Sequence, residues 1–142
     1  MTVLELAKRW AEPPRILIVE DDANLARTVT GLLSRYECDI ESVTNLADAL
    51  NAVRLRRFDM VFVDTGLKGG GLGVVKALKA KSPSTPILVL AGQERGLLEE
   101  LWSCGMITVL RKPFDITAQQ MKDALTMFKV KTSPRATVSA TV

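Results

Sequence analysis

Three groups of residues in this chain could do chemistry together. Asp64 ends the run Phe58-Asp59-Met60-Val61-Phe62-Val63 and leads straight into Thr65-Gly66. Glu20-Asp21-Asp22 follows Ile16-Leu17-Ile18-Val19, and Arg111-Lys112-Pro113 follows the apolar stretch 106–110. Carboxylates brought close together repel one another, and a divalent cation relieves that repulsion. A set made of carboxylates, a backbone carbonyl and water suits Mg²⁺, which keeps much of its hydration and takes few protein ligands. A lysine opposite supplies a compact positive charge for a phosphate oxygen. A carboxylate nucleophile, a hard metal and a lysine together describe the formation of an acyl phosphate.

Such a site needs strands whose carboxyl ends lie side by side. Short apolar runs bounded by turn residues read as strands buried on both faces, the kind found in parallel α/β sheets. Four runs fit, at 15–19, 58–63, 87–90 and 106–110, and 38–43 alternates and reads as a further strand. Helical patterns separate them. Leu25, Val29, Leu32 and Leu33 mark a helix over 24–36 with Asp22 at its start, and Asn45 caps one carrying Leu46, Ala49, Leu50 and Val53. Further helices are expected over 72–81, broken by Ser82-Pro83-Ser84, over 94–104, and over 115–129. Alternating strands and helices predict an α/β, three-layer, doubly wound five-stranded parallel sheet, because crossovers are right-handed. Ligands in such sheets sit outside the carboxyl ends of the strands, where Glu20, Asp21, Asp64 and Lys112 fall.

Residues 1–14 place Val3, Leu6 and Trp10 on one helical face and stop at Pro13-Pro14, an N-terminal extension with a short helix. Residues 15–129 make the domain, and the Ser/Thr/Ala-rich tail 130–142 is expected to be flexible. No apolar run reaches the length of a membrane span, and no secretory leader is evident. Cys38 and Cys104 lack metal-ligand spacing and fit a cytoplasmic protein as small buried groups. The chain carries a formal charge of +3, but residues 15–129 hold fifteen Lys/Arg against fourteen Asp/Glu. Arg54, Arg56 and Arg57 form the one tight basic run and suit a helix C-terminus, so nucleic-acid binding is not expected. Gly69-Gly70-Gly71 reads as a flexible loop, since no Gly-Lys-Ser/Thr follows it.

Taken together, Ile16-Leu17-Ile18-Val19-Glu20-Asp21-Asp22, Asp64 after its strand and Lys112-Pro113-Phe114 resemble the receiver domain of two-component response regulators. The resemblance implies the flavodoxin-like strand order 2-1-3-4-5. It implies that Asp64 accepts a phosphoryl group from a sensor histidine kinase or phosphotransfer protein. It further implies Mg²⁺ held by Glu20, Asp21, Asp64 and the backbone carbonyl of Gly66, with Lys112 contacting the phosphoryl group ahead of a cis proline bond. Output would pass to a downstream protein partner across the face made by the helix at 94–104, the strand at 106–110 and the last helix. Dimerisation through those two helices stays open.

Three departures bear on that output. The position where the family carries Thr or Ser at the end of the fourth strand is Ala91, and the aromatic switch position in the fifth strand is Val109. The proline expected after Asp64 is Lys68, and Gly70-Gly71 stands where the family has Asp-Gly, in a loop one residue short. The expected function is a phosphoacceptor receiver in a phosphorelay, not an enzyme. The alternative is a receiver-like binding module that acts independently of phosphorylation. A Mg²⁺-dependent hydrolase would need an acid two residues past Asp64, and Gly66 stands there. Trp102 with Leu97, Leu98 and Leu101 reads mainly as core, with a partner surface as the other reading.

Overall fold

The computed structural model describes residues 2–6, 12–68, 70–91, 107–111, 117–128 and 130. Its strands are β1 (Arg15–Val19), β2 (Asp39–Val43), β3 (Met60–Asp64), β4 (Ile87–Ala91) and β5 (Ile107–Arg111). Its described helices are α1 (Ala23–Leu33), α2 (Leu46–Leu55), α3 (Gly71–Lys81) and α4 (Ala118–Met127). The strands form one sheet in the order β2-β1-β3-β4-β5, every neighbouring pair parallel.

Successive side chains of a strand point to opposite faces, so each apolar run feeds two cores at once. Leu17, Val19, Val61, Val63, Ile87 and Val89 pack with Ala49, Ala52 and Val53 of α2 and Val74, Val75 and Leu78 of α3. Ile16, Ile18, Met60, Phe62, Leu88 and Leu90 pack with Val29 and Leu33 of α1 and Met121, Ala124 and Leu125 of α4. Helices therefore cover both faces of the sheet. All five residues of β3 are buried, Asp64 included, which explains an unbroken apolar run where a half-exposed strand would alternate. β2 lies at the edge of the sheet, and none of its residues is fully buried.

Local chemistry fixes most helix starts. Asp22 accepts backbone bonds from Asn24 and Leu25, and Asn45 accepts one from Asp48. The last helix begins at Ala118, later than the expected 115. Thr117 is extended and forms a reciprocal capping box with Gln120, and that box sets the boundary. Leu50, expected to face the core, is instead exposed, because α2 packs through Ala49, Ala52 and Val53. In the N-terminal extension, Thr2 and Glu5 cap each other across a short helical turn at 3–6, with Val3 and Leu4 exposed. Cys38 is buried, and its Sγ lies 3.4 Å from the Leu33 carbonyl. No helix among the described residues is long and apolar enough to cross a membrane. The expected helix at 94–104 with Trp102 and Cys104, the segment Lys112-Pro113-Phe114, Trp10 and the tail from 131 lie outside the described residues.

Candidate functional site

Parallel pairing brings the carboxyl ends of β1 and β3 level. Val19 pairs with Val43 on one side and Val63 on the other, so Glu20 and Asp64 leave the sheet at the same height. Glu20 prolongs the edge of β1 by donating its N–H to the Val43 carbonyl, 3.1 Å away. Its side chain turns inward, 1% exposed, and Oε1 accepts the Asp22 N–H at 3.0 Å. Asp21 is exposed, while Asp22 is occupied in capping α1. Asp64 is 2% exposed, and its Oδ1 accepts the Gly66 N–H at 2.9 Å.

One carboxylate oxygen from each of Glu20, Asp21 and Asp64 lies within 4.8 Å of the others. Two unit charges so placed repel by roughly 3 kcal/mol at an effective dielectric near 20. Two of the three groups are buried, so water screens them poorly. A hard divalent cation would turn that repulsion into attraction, and the all-oxygen donor set fits Mg²⁺. One exposed member, Asp21, leaves the cluster open to solvent on that side, as a partly hydrated ion requires.

The connection from β3 to α3 wraps this cluster. Thr65 donates both its N–H and its Oγ1 hydroxyl to the Leu90 carbonyl at the end of β4. Leu67 N–H reaches the Asp64 carbonyl at 3.2 Å, and Lys68 N–H approaches Asp21 Oδ2 at 3.5 Å. A Cβ on Gly66 would lie 3.3 Å from Asp64 Oδ1. A Cβ on Gly71 would lie 2.3 Å from the Asp64 backbone carbonyl oxygen, a distance no side chain can occupy. Gly70 has φ of 95°, a backbone region that L side chains rarely adopt.

Glu20, Asp21 and Asp64 thus meet as their positions in the sequence suggest, with Gly66 beside them. Ala91 ends β4 in register with Arg111, and Val109 is in register with Val89. Lys112 lies outside the described residues. By sequence alone the glycine run reads as a plain flexible loop. Gly71 is instead the first residue of α3, pressed against the backbone of Asp64. The sequence offers one clue to this, a glycine pair placed just before an apolar helical pattern.

Residues 16–126 match the family model described as the response regulator receiver domain. Among curated proteins, the chain is 29% identical over 115 residues to the transcription factor SKN7 of Chaetomium thermophilum, covering 78% of this chain and 15% of that protein. It is 32% identical over 117 residues to a protein-glutamate methylesterase/protein-glutamine glutaminase of Myxococcus xanthus, covering 78% of this chain and 33% of that protein. The chain therefore spans a third or less of either relative. Among solved structures, the receiver domain of NtrX from Brucella abortus aligns with a TM-score of 0.66 at 26% identity, over 82% of this chain and 99% of that one. The signal receiver domain of an HD domain-containing protein from Pseudomonas fluorescens Pf-5 aligns with a TM-score of 0.73 at 23% identity, over 82% and 94%.

Proposed function

Because this chain belongs to the response regulator receiver family, a signalling module of two-component systems and not an enzyme, we propose that Asp64 is its phosphoacceptor. The carrying observation is the meeting of Glu20, Asp21 and Asp64 within 4.8 Å at the carboxyl end of a parallel sheet. Asp64 attacks through a carboxylate oxygen. An O–P bond forms as the donor's P–N bond breaks, and the departing imidazole of a partner's phosphohistidine takes up a proton. The Gly66 N–H fixes Oδ1 of Asp64 and so orients the attacking group. Glu20, Asp21, Asp64 and the Gly66 carbonyl would hold Mg²⁺, which when bound neutralises charge building on the phosphoryl oxygens. By resemblance to the family, Lys112, one residue past β5, would contact the phosphoryl group. The receiver unit spans 15–129, with 1–14 as an extension and 130–142 as a tail. Its partners are a histidine kinase or phosphotransfer protein upstream and a protein downstream.

A second reading is favoured by Ala91 at the end of β4 and Val109 within β5. A hydroxyl at the first position would add a hydrogen bond to a charged group, worth about 1.5–3 kcal/mol. That is the whole of a typical coupling energy, about 1–3 kcal/mol. Without it and without an aromatic ring at 109, transfer chemistry can persist while the usual readout is lost. The chain would then bind its partner whether or not Asp64 is modified.

Incubation with Mg²⁺ and acetyl phosphate, followed by intact mass, tests the first reading. A single phosphoryl adduct is expected, absent from Asp64→Ala and abolished by EDTA. No adduct, or one that survives Asp64→Ala, overturns it. An adduct that leaves partner affinity unchanged selects the second reading.

A further inference from the structure

The chemistry at Asp64 changes the charge of atoms that the β3–α3 connection is bonded to. Gly66 N–H donates to Asp64 Oδ1 at 2.9 Å, and Lys68 N–H points at Asp21 Oδ2 at 3.5 Å. Acyl-phosphate formation turns the Asp64 carboxylate into one side of a mixed anhydride and moves the negative charge onto the phosphoryl oxygens, so the Gly66 bond loses its charge assistance. Charge-assisted bonds are roughly twice as strong as neutral ones. Occupation of Asp21 by a cation draws on the same carboxylate that faces Lys68. Both anchors on this connection therefore depend on the state of the site.

Beyond these anchors the chain enters a weakly built helix start. α1, α2 and α4 each have a side-chain cap, from Asp22, Asn45 and Thr117. α3 has Gly70 at its N-cap, with no side-chain cap bond, and glycine again at 71 and 73. Each interior glycine lowers helix population roughly five-fold against alanine. A glycine in place of a capping side chain adds a smaller factor, roughly 1.5- to two-fold. The first turn of α3 is thus held by contact with Asp64 more than by its own propensity. Gly71 has no room for a Cβ against the Asp64 carbonyl, so a shift at Asp64 reaches the helix directly.

We infer that occupancy of the Asp21–Asp64 site is signalled through Gly66 and Lys68 to the first turn of α3, a route that does not use positions 91 and 109. The inference rests on the phosphoacceptor reading of Asp64. The responsive segment is the described part of the connection, Thr65–Lys68 and Gly70, together with Gly71–Val74, of which Gly66, Lys68 and Gly73 are exposed.

Hydrogen exchange by mass spectrometry on the full chain, with Mg²⁺ alone and with Mg²⁺ plus beryllofluoride, tests it, and binding is measured separately by calorimetry. Wild type is expected to bind beryllofluoride and to shift exchange across 66–74 by at least about five-fold, the low end of ordinary coupling between sites. Gly73→Ala provides the second arm. A Cβ there meets only Leu46 Cδ1 at 3.6 Å, ordinary contact, so the variant folds and stiffens the helix start. It should bind beryllofluoride as wild type does and show an exchange shift at least about two-fold smaller. Binding with unchanged exchange at 66–74, or a Gly73→Ala response equal to wild type, overturns the inference and leaves the phosphoacceptor reading standing. Absence of beryllofluoride binding overturns both.

Discussion

The two ends of α3 are built on opposite principles. Its N-terminal end has a glycine cap, two more glycines in the first three positions and no side-chain cap bond. Its C-terminal end is bolted down. Lys81 Nζ donates to the carbonyls of Val53, Arg54 and Arg56, neutralising the C-terminal end of the neighbouring α2. Lys79 Nζ reaches the Pro83 carbonyl, and the Ser82 and Thr85 hydroxyls bond each other at 2.7 Å. The loose end lies at the carboxylates and the fixed end lies farthest from them. A helix held at one end and coupled to a reactive group at the other can respond without unfolding, because the anchored turn keeps its register on the sheet.

The sharpest way to break this contrast is to add a methyl group where the loose end touches the site. Gly71→Ala puts a Cβ against the Asp64 carbonyl oxygen, which belongs to a fully buried strand and can shift only at a cost. A loss of about 3 kcal/mol in urea unfolding is expected, at the upper end for overpacking. Mg²⁺ affinity should fall with it, by roughly ten-fold or more, since about 1.4 kcal/mol of displacement at Asp64 is already a factor of ten. Unchanged Mg²⁺ binding in a folded Gly71→Ala protein would mean that the helix start does not bear on the site.

Releasing the fixed end should do less and do it elsewhere. Lys81→Met keeps the aliphatic stem and removes the donors to three carbonyls. The side chain is partly solvated, so the expected cost is about 1 kcal/mol, within the range for a net hydrogen bond and a helix-dipole contact. Mg²⁺ affinity should not move. A variant that loses metal affinity as well would show that the two ends of α3 are mechanically coupled, and the contrast between them would fail.

How much of this is legible in the sequence depends on how local the cause is. Asp22 and Asn45 can be read as caps because a cap acts on the two or three residues beyond it. Thr117 and Gln120 carry the same local signal, a capping box, which fixes a start three residues later than Asp115. The buried run ending in Asp64 is readable because β3 is central and buried on both faces, and β2, at the edge, is readable from its alternation to within one residue of its start. Glu20, Asp21 and Asp64 can be brought together because parallel strands with matched lengths must end level. The role of Gly71 is hidden, since nothing in a glycine run says which member touches a distant backbone atom. The Lys81 cap is hidden for the same reason, joining residues 25–28 positions apart. Leu50 misleads because the α2 interface is made of small residues, Ala49, Ala52 and Val53, which leave a larger neighbour at the rim.

The smallest effect is expected at the basic run that ends α2. Arg56 pairs with Glu41 through two bonds, 2.6 and 3.3 Å, yet both side chains are at least a third exposed. Exposed pairs contribute little because water already solvates both charges and salt screens them. Arg56→Met should therefore cost no more than about 0.5 kcal/mol, and less in high salt. The Lys81 contacts differ in kind, since three carbonyls converge on one ammonium and a helix end is satisfied. If Arg56→Met destabilised the protein as much as Lys81→Met, the fixed end would owe its firmness to the net positive charge around Arg54, Arg56 and Arg57. Measuring both variants at low and high salt separates the two causes. A charge effect shrinks in parallel for both, while loss of the Lys81 hydrogen bonds persists at high ionic strength.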